Sequence, residues 1–501
     1  MSSTPDEMFR DFVTKHNYDV KPHQLKGFKW CYERETEHRH GGGLLCDEMG
    51  LGKTILMLAC MKLNPKNNTL IVVPKSLIGQ WRDKIIQLLG KKPLVFHGAF
   101  AKGFIYNNEL EEQLDIMSKR IFISTYGMLK SVLSKHKWER IIYDEAHNMK
   151  TKQTQVFKNA MKVEANIKWM VTGTPIQNSW RDVLSICKLL KFPEGKEILE
   201  KQNNREDQRE YIKSIMLVRT KKQVKVKMPE LKVHTIKVKS TTQEEHSLMT
   251  DIHSKLMCSK ISTNKPARFP ILDRIGDIPL VFMLRARQVC SNPKMLETCI
   301  KKVFDEAEDK KSDMPDFSIM TNSKLAKIIS TMETYDKSTK KIVFYTFHKE
   351  MTAMKQLLEQ KNYVVGVLNG RTDNKKKQDI ITSNNYDVLL IQIKSGSDGL
   401  NLQQYSQVYF VSPHWNPAVE KQAIARVYRL GQKAKQVNVF YFISTFDKKN
   451  RYTIDEYCLI VKRKKTETLQ YLYSNTKKQS SSSSSPSKEN NSSTISPQLP
   501  S

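Results

Sequence analysis

The stretch that most constrains how this chain can fold is residues 47–54, with the sequence DEMGLGKT. A short apolar run, residues 44–46, leads into it, and a helix-like run, residues 55–60, follows it. A strand, a glycine loop and a helix in this order are the context that a phosphate-binding loop needs. The glycines let backbone N–H groups converge on phosphate oxygens, and the helix N-terminus adds positive potential. The general pattern has a glycine where Asp47 stands, so this position departs from it.

We expect this phosphate loop, residues 47–54, to bind a nucleoside triphosphate. Lys53 would reach the β- and γ-phosphates, and Thr54 would hold Mg²⁺. The loop residues predicted to bind the nucleotide are Asp47, Glu48, Met49, Gly50, Leu51, Gly52, Lys53 and Thr54.

A second apolar run, residues 141–143, ends in two adjacent carboxylates, Asp144 and Glu145, about 90 residues after the phosphate loop. One carboxylate can bind Mg²⁺, and its neighbour can orient the attacking water and take its proton. We assign the first role to Asp144 and the second to Glu145. A helix cap after a strand would explain Asp144 alone, but not the sequence Asp-Glu-Ala-His at residues 144–147.

The composition limits the number of domains and the classes of partner that can be expected for this chain. At 501 residues the chain is too long for one hydrophobic core, so two or three domains are expected. Lysine and arginine total 83 against 52 acidic residues, a net charge of +31. Surface lysines of an ordinary soluble protein could explain part of this excess, but its size favours a polyanionic partner such as nucleic acid. No run approaches the length of a membrane span, and the eight cysteines form no C-x-x-C pair, so neither a membrane nor zinc is predicted.

Two blocks of short apolar strands alternating with helical stretches, residues 21–190 and 322–446, predict an α/β fold with parallel sheets. Residues 191–320 between them are mostly helical in pattern, residues 1–20 resemble a polar lead-in, and the serine-rich stretch from 479 onward should be disordered. The predicted strands are residues 69–73, 94–96, 120–124, 140–143, 169–172, 341–345, 364–368, 387–393, 407–411 and 437–442.

Several motifs in fixed order carry a resemblance to a known class. They are DEMGLGKT, DEAH, VTGTPIQN at residues 171–178, and WNP at residues 415–417 followed by QAIARVYRLGQ at residues 422–432. Together they resemble SWI/SNF-type ATPases, the chromatin-remodelling class of helicase superfamily two.

The resemblance implies two RecA-like parallel-sheet lobes with helical insertions and a cleft for ATP and Mg²⁺ between them. The implied boundaries are a lead-in at 1–20, lobe one with a helical protrusion at 21–232, a mainly helical linker with the lobe-two protrusion at 233–320, lobe two with a brace helix at 321–475, and a disordered tail at 476–501.

Individual residues follow from the same resemblance. Gln24 lies in a segment similar to the adenine-reading segment, where its amide could both donate and accept. Residues 217–222, the hand-over segment, resemble the stretch where lobe one passes to lobe two. Gly399 belongs to a nucleotide-binding motif, KSGSDGLNL, in which the family usually has two adjacent glycines where Gly396 and Ser397 stand.

Arg426 and Arg429 are three residues apart in a predicted helix, which would place them on one face. In the family's motif they would act as arginine fingers on a γ-phosphate bound by the other lobe. Surface salt bridges are the alternative. The basic run at 462–465 has two compatible interpretations, a helix bracing the lobes or a nuclear localisation signal. For Trp81, core packing is the expected role.

The predicted function is DNA-stimulated ATP hydrolysis that drives translocation along duplex DNA and displaces bound proteins, by a nuclear protein acting as a monomer. Size and class also resemble the global-transactivator proteins of large insect DNA viruses, which implies a role in transcription. Two alternatives stay open, a strand-separating helicase and a catalytically silent DNA-binding regulator. The complete set of Lys53, Asp144, Glu145 and Arg426 argues against the silent regulator.

Overall fold

The computed structural model describes residues 4–98, 120–130, 132–200, 204–254, 279–306, 314–372, 374–383, 385–393, 400–446 and 452–473. The predicted tail at 476–501 and Gly399 lie outside these residues.

Lobe one is built on a parallel sheet of seven strands in the order β3-β4-β2-β5-β6-β1-β7. Its central strands are short apolar runs buried on both faces, as expected where helices cover both sides of a parallel sheet. The strands are β1 (Gly41–Leu45), β2 (Thr69–Val73), β3 (Leu94–Phe96), β4 (Ile121–Thr125), β5 (Lys137–Asp144), β6 (Glu164–Val171) and β7 (Met216–Leu217).

The register of this sheet brings the chemical motifs to one edge. Leu45, the last residue of β1, pairs with Val171 of β6, and Val171 pairs with Asp144 of β5. Because all three strands are parallel, the loops that follow them leave the sheet side by side. The helices of this lobe are α1 (Pro5–Thr14), α2 (Pro22–Thr36), α3 (Lys53–Leu63), α4 (Ile78–Leu89), α5 (Gln155–Lys162), α6 (Trp180–Leu190), α7 (Lys196–Glu200) and α8 (Arg205–Ser214).

The N-terminal residues are more than the predicted polar lead-in, because residues 5–14 form helix α1. Phe9, Phe12 and Val13 are buried in the core of lobe one, and the Phe9 ring stacks on Phe28 at 5.0 Å. These apolar side chains recur at helical spacing, so one face of α1 packs while its acidic residues remain towards solvent.

Lobe two is a parallel sheet of six strands in the order β10-β11-β9-β12-β13-β8. The strands are β8 (Glu230–Val238), β9 (Lys341–Tyr345), β10 (Val365–Leu368), β11 (Val388–Gln392), β12 (Gln407–Phe410) and β13 (Gln436–Ser444). The helices are α9 (Gln243–Ser254), α10 (Pro279–Ser291), α11 (Glu297–Glu306), α12 (Ser323–Glu333), α13 (His348–Gln360), α14 (Asn374–Thr382), α15 (Pro417–Val427) and α16 (Ile454–Tyr473).

Strand β8 begins in the residues predicted as lobe one and ends in those predicted as a mainly helical linker. It pairs in parallel with β13 along its full length, from Glu230 opposite Gln436 to Val238 opposite Ser444. The boundary placed at residue 232 therefore falls inside a strand of lobe two. The alternation of charged and β-branched residues in β8 is a period-two signal of an edge strand.

The α/β class with two parallel sheets is confirmed, and each predicted strand overlaps an observed one. In the described part of the chain, no helix combines the length and apolarity that crossing a lipid bilayer would require.

Helix α16 connects the two lobes. Its first residue, Ile454, belongs to a buried cluster of lobe two, whereas Leu469 and Leu472 belong to the core of lobe one. Between these ends, Lys462 and Lys465 contact residues outside the helix. Lys462 pairs with Glu420, and Lys465 Nζ donates to Trp415 O and to Asn178 Oδ1, each at 3.1 Å.

Candidate nucleotide site between the lobes

The phosphate loop turns between β1 and α3 through two glycines in the left-handed region, Gly50 with φ 90° and Gly52 with φ 91°. Gly52 is required for a second reason, because a Cβ there would lie 2.1 Å from Nε2 of Gln24. The Gln24 side chain is buried and donates from Nε2 to Leu51 O at 3.2 Å. Gln24 therefore lies against the phosphate loop; its adenine-reading role stays a prediction.

Lys53 is the first residue of α3, and its side chain folds back over the phosphate loop. Its Nζ donates to Asp47 O at 2.7 Å and is 3.5 Å from Glu48 O. Thr54 follows in the first helical turn. A lysine held by loop carbonyls at a helix N-terminus provides a cation where an anionic phosphate would bind.

Asp47 has a structural explanation that the sequence did not indicate. Its carboxylate is fully buried and pairs with Arg219, whose Nε donates to Oδ1 at 3.0 Å and whose Nη2 donates to Oδ2. The same guanidinium donates to His23 O, next to Gln24. Gly27 leaves room for Arg219, since a Cβ there would lie 2.5 Å from Nη2. The Asp47 side chain thus joins the loop to the hand-over segment.

Asp144 ends β5 at the same edge of the sheet and is held on both carboxylate oxygens. Trp81 Nε1 donates to Oδ2 at 2.8 Å, and the backbone N–H of Glu145 donates to Oδ1 at 3.0 Å. Burial and the adjacent charge of Glu145 raise the pKa of Asp144 to about 6, although the bond from Trp81 opposes them. Trp81 packs in the core as expected, but it also orients this carboxylate.

Glu145 has a positive φ of 55°, so the backbone reverses there. Among the described residues its buried Oε2 accepts no well-directed hydrogen bond, although it is 3.2 Å from His147 Nδ1. Burial raises the pKa of Glu145, but the contact with His147 and the charges of His147 and Lys53 outweigh burial and lower it. The guanidinium of Arg426 also lowers this pKa, which places lobe two within electrostatic reach of the carboxylate.

His147 links the carboxylates to the next motif, because its Nδ1 is 3.1 Å from Thr172 Oγ1. Thr172 follows β6 directly. His147 therefore contacts both the carboxylate pair and the residue that begins the loop after β6.

These residues fit a triphosphate with Mg²⁺. Two adjacent, partly buried carboxylates, one with a raised pKa, concentrate negative charge that a divalent cation would relieve, and the charge of Lys53 lowers the pKa of both. Asp144 and Thr54 would hold the ion, which would neutralise charge on the phosphate oxygens.

Helix α15 carries the arginines differently from the prediction. Asn416 caps it by accepting from Ala418 N at 3.0 Å, and the helix ends at Val427. Arg429 therefore lies beyond the helix, so the prediction of one shared helical face is wrong. Burial is the main cause that lowers the pKa of Lys221, and the nearby charge of Arg429 lowers it further. The charge of Arg426 thus acts on Glu145, and that of Arg429 acts on Lys221.

Further contacts join α15 to lobe one at its N-terminal end. Asn416 Nδ2 donates to Gln177 Oε1 at 3.2 Å, and Lys150 Nζ donates to the same oxygen. A cavity of about 400 Å³ lies between the lobes behind the phosphate loop, where Met49, Tyr428 and Tyr473 are among its lining residues. Residues of both lobes therefore line this cavity.

Comparison with known proteins identifies two domain families along the chain. Residues 23–295 match the SNF2-related domain, and residues 322–431 match the helicase conserved C-terminal domain. A "Probable global transactivator" of Orgyia pseudotsugata multicapsid polyhedrosis virus is 26% identical over 492 residues, covering 91% of each chain.

An "Uncharacterized ATP-dependent helicase" of Mycoplasma pneumoniae is 27% identical over 471 residues, covering 89% of this chain and 42% of its own length. The chain thus spans nearly all of the viral relative but less than half of the mycoplasma one. Among solved structures, the Sulfolobus solfataricus SWI2/SNF2 ATPase core in complex with dsDNA is 23% identical with a TM-score of 0.38, covering 85% of this chain and 88% of that one.

The SNF2-related match covers more than half of the chain and includes the phosphate loop, the carboxylate pair and the hand-over segment. The chain therefore belongs to the SNF2-related ATPase family, with a helicase conserved C-terminal domain as its second lobe.

Proposed function

We propose that this protein is a DNA-stimulated ATPase that translocates along duplex DNA and displaces or remodels bound proteins in transcription regulation. The observation that carries the proposal is that α15 of lobe two contacts lobe one, from Asn416 to Gln177 at 3.2 Å, and carries Arg426, whose charge helps to lower the pKa of Glu145. A hydrolytic site that needs both lobes can couple ATP turnover to their relative motion.

Each side chain has a role in this scheme. Lys53 binds the β- and γ-phosphates, and Glu145 orients the attacking water and accepts its proton. Arg426 stabilises the charge that spreads over the phosphoryl oxygens, and Arg429 contributes from beyond the helix end. Asp144 and Thr54 are the proposed ligands of Mg²⁺.

Two features support duplex DNA as the track. The net charge of +31 suits a polyanion, and the last motif is of the translocase type rather than the Q-R-x-G-R-x-G-R type typical of RNA-directed helicases. The viral relative's name, probable global transactivator, supports a role in transcription. We also propose that the protein acts in the nucleus, as a monomer on DNA.

The test is the ATPase rate without nucleic acid and with duplex DNA, single-stranded DNA or RNA. Duplex DNA should stimulate more than RNA does, and equal or greater stimulation by RNA would contradict the proposal. Binding should weaken steeply with salt, because phosphate contacts release counterions. A flat response between low and physiological salt would mean that the positive charge is not a DNA footprint. A strand-displacement assay run beside it distinguishes translocation from strand separation.

A further inference from the structure

The hand-over segment runs beside the phosphate loop before the chain enters lobe two. Backbone bonds hold the two together, from Cys46 N to Leu217 O at 2.7 Å and from Glu48 N to Arg219 O at 2.9 Å. Any side chain that leaves this segment towards lobe two is thus anchored on the phosphate loop itself.

Lys221 is that side chain. Its backbone N–H donates to Glu48 Oε2 at 2.8 Å, and its Nζ is 3.6 Å from Glu48 Oε1. The same Nζ donates to Tyr428 O in lobe two at 3.1 Å. Only 9% of the Lys221 side chain is exposed, so this cation is taken out of water to make the contact.

Tyr428 is the capping residue that directly follows the last helical residue of α15, and in the sequence it lies between Arg426 and Arg429. A cation at the last carbonyls of a helix is favourable, because it satisfies an acceptor and matches the negative end of the helix dipole. Lys221 Nζ also lies 5.0 Å from the centre of the Tyr428 ring. One lysine therefore holds both the backbone and the ring at the point where the helix stops.

We propose that Lys221 is a positioning residue that fixes the C-terminal end of α15 against the phosphate loop, so that Arg426 is directed at the bound triphosphate. It does not touch the reacting atoms; it acts through Glu48 on one side and Tyr428 on the other. The proposal rests on ATP hydrolysis by the two lobes, but not on the identity of the nucleic acid.

The first experiment compares Lys221→Met, which keeps the apolar stem and removes the charge, with Lys222→Met, an exposed neighbour that serves as the control. Single-turnover hydrolysis is measured with saturating duplex DNA, and affinity is measured with a non-hydrolysable ATP analogue. We expect Lys221→Met to lose hydrolysis about tenfold while ATP affinity changes less than about twofold. Lys222→Met should keep the wild-type rate within about twofold.

The second experiment asks whether Lys221 acts through Arg426. In an Arg426→Ala background, Lys221→Met should lower the rate by less than about twofold, because its target is gone. An independent tenfold loss in that background would overturn the proposal, as would a near-normal single variant or a parallel loss of ATP affinity. Lys221→Arg, which can still donate to the Tyr428 carbonyl, should recover at least half of the rate.

Melting temperatures of all variants accompany these rates. If Lys221→Met melts well below the wild type, Lys221→Gln replaces it, since its amide stays polar and lacks the charge. Hydrolysis rates of the same variants are also measured without DNA, which separates the proposal for Lys221 from the proposed translocase function. A protein that DNA fails to stimulate would refute the translocase function and still report whether Lys221 and Arg426 are coupled.

Discussion

Trp81 donates a hydrogen bond of 2.8 Å to Asp144, which lies 63 residues further along the chain and is the proposed Mg²⁺ ligand. The indole is 1% exposed, so its N–H has no water to bind instead. A core residue of α4 thereby sets the orientation of a carboxylate at the end of β5.

Trp81→Phe should impair the use of Mg²⁺ more than the binding of nucleotide. The ring volume is mostly kept, but one buried oxygen loses its donor, which costs about 1–3 kcal/mol. We expect a higher Mg²⁺ concentration for half-maximal hydrolysis. Trp138→Phe is the matched control, because Trp138 is equally buried and its Nε1 donates to Leu133 O. A Mg²⁺ dependence shifted equally in both variants would show a general packing effect.

Glu145→Gln and Lys53→Ala should separate chemistry from binding. The glutamine amide preserves the shape of the side chain but cannot accept the proton of water, so turnover should be lost while ATP affinity is kept. Removing the Lys53 charge should instead weaken nucleotide binding itself. ATP affinity and single-turnover hydrolysis measured on both variants check this. Equal loss of affinity in the two would refute the division of roles.

Arg426→Ala should leave ATP binding nearly unchanged and remove most DNA-stimulated hydrolysis. Arginine fingers contribute roughly 10³–10⁵ in rate in comparable sites, so a loss above about tenfold is expected even if Arg429 compensates partly. Arg426→Lys should rescue little, because lysine lacks the planar fork that binds two oxygens. Near-normal single-turnover hydrolysis by the alanine variant would mean that α15 only packs.

Leu472→Ala should loosen the attachment of α16 to lobe one. Leu472 is fully buried, and truncation of such a side chain costs about 2–5 kcal/mol. Urea unfolding measures this loss, and Arg463→Ala is the control on the same helix, since 84% of the Arg463 side chain is exposed. If both variants unfolded at the same urea concentration, the C-terminal half of α16 would not contribute to lobe one.

The stability of lobe two should fall as the pH is lowered from about 6.5 towards 4. Burial lowers the pKa of His253 to about 4, and its Nε2 accepts from Ile454 N at the start of α16. As the pH falls, His253 is protonated in the unfolded chain before it is protonated in the folded one. Its contribution to the free energy of unfolding is therefore complete above pH 6.5, and about 3 kcal/mol of it is lost as the pH falls through 4. His253→Gln should flatten the pH dependence of the free energy of unfolding. If the slope of that dependence were unchanged, other titrating groups would be responsible for it.

Much of the site could be predicted because its signals are local. Glycines at fixed spacing, an apolar strand ending in Asp144 and Glu145, and the parallel-sheet rule that strand ends share an edge suffice to bring these residues together. The arginines show where such reasoning stops. The sequence pattern continued the helix to Arg429, but Tyr428 adopts a non-helical conformation and its carbonyl accepts a hydrogen bond from Lys221. Arg426 and Arg429 therefore do not share a helical face.

By itself, the sequence determined the α/β class, the two sheets and the phosphate loop, since short-range patterns of apolar residues and glycines encode these features. Only the tertiary structure decided what Asp47 does in place of a glycine, because Arg219 lies 172 residues away. It likewise decided that α1 packs on lobe one, that β8 joins lobe two, and that Lys221 reaches across the cleft. These depend on which distant side chains meet when surfaces are buried, and no local pattern specifies a partner far along the chain.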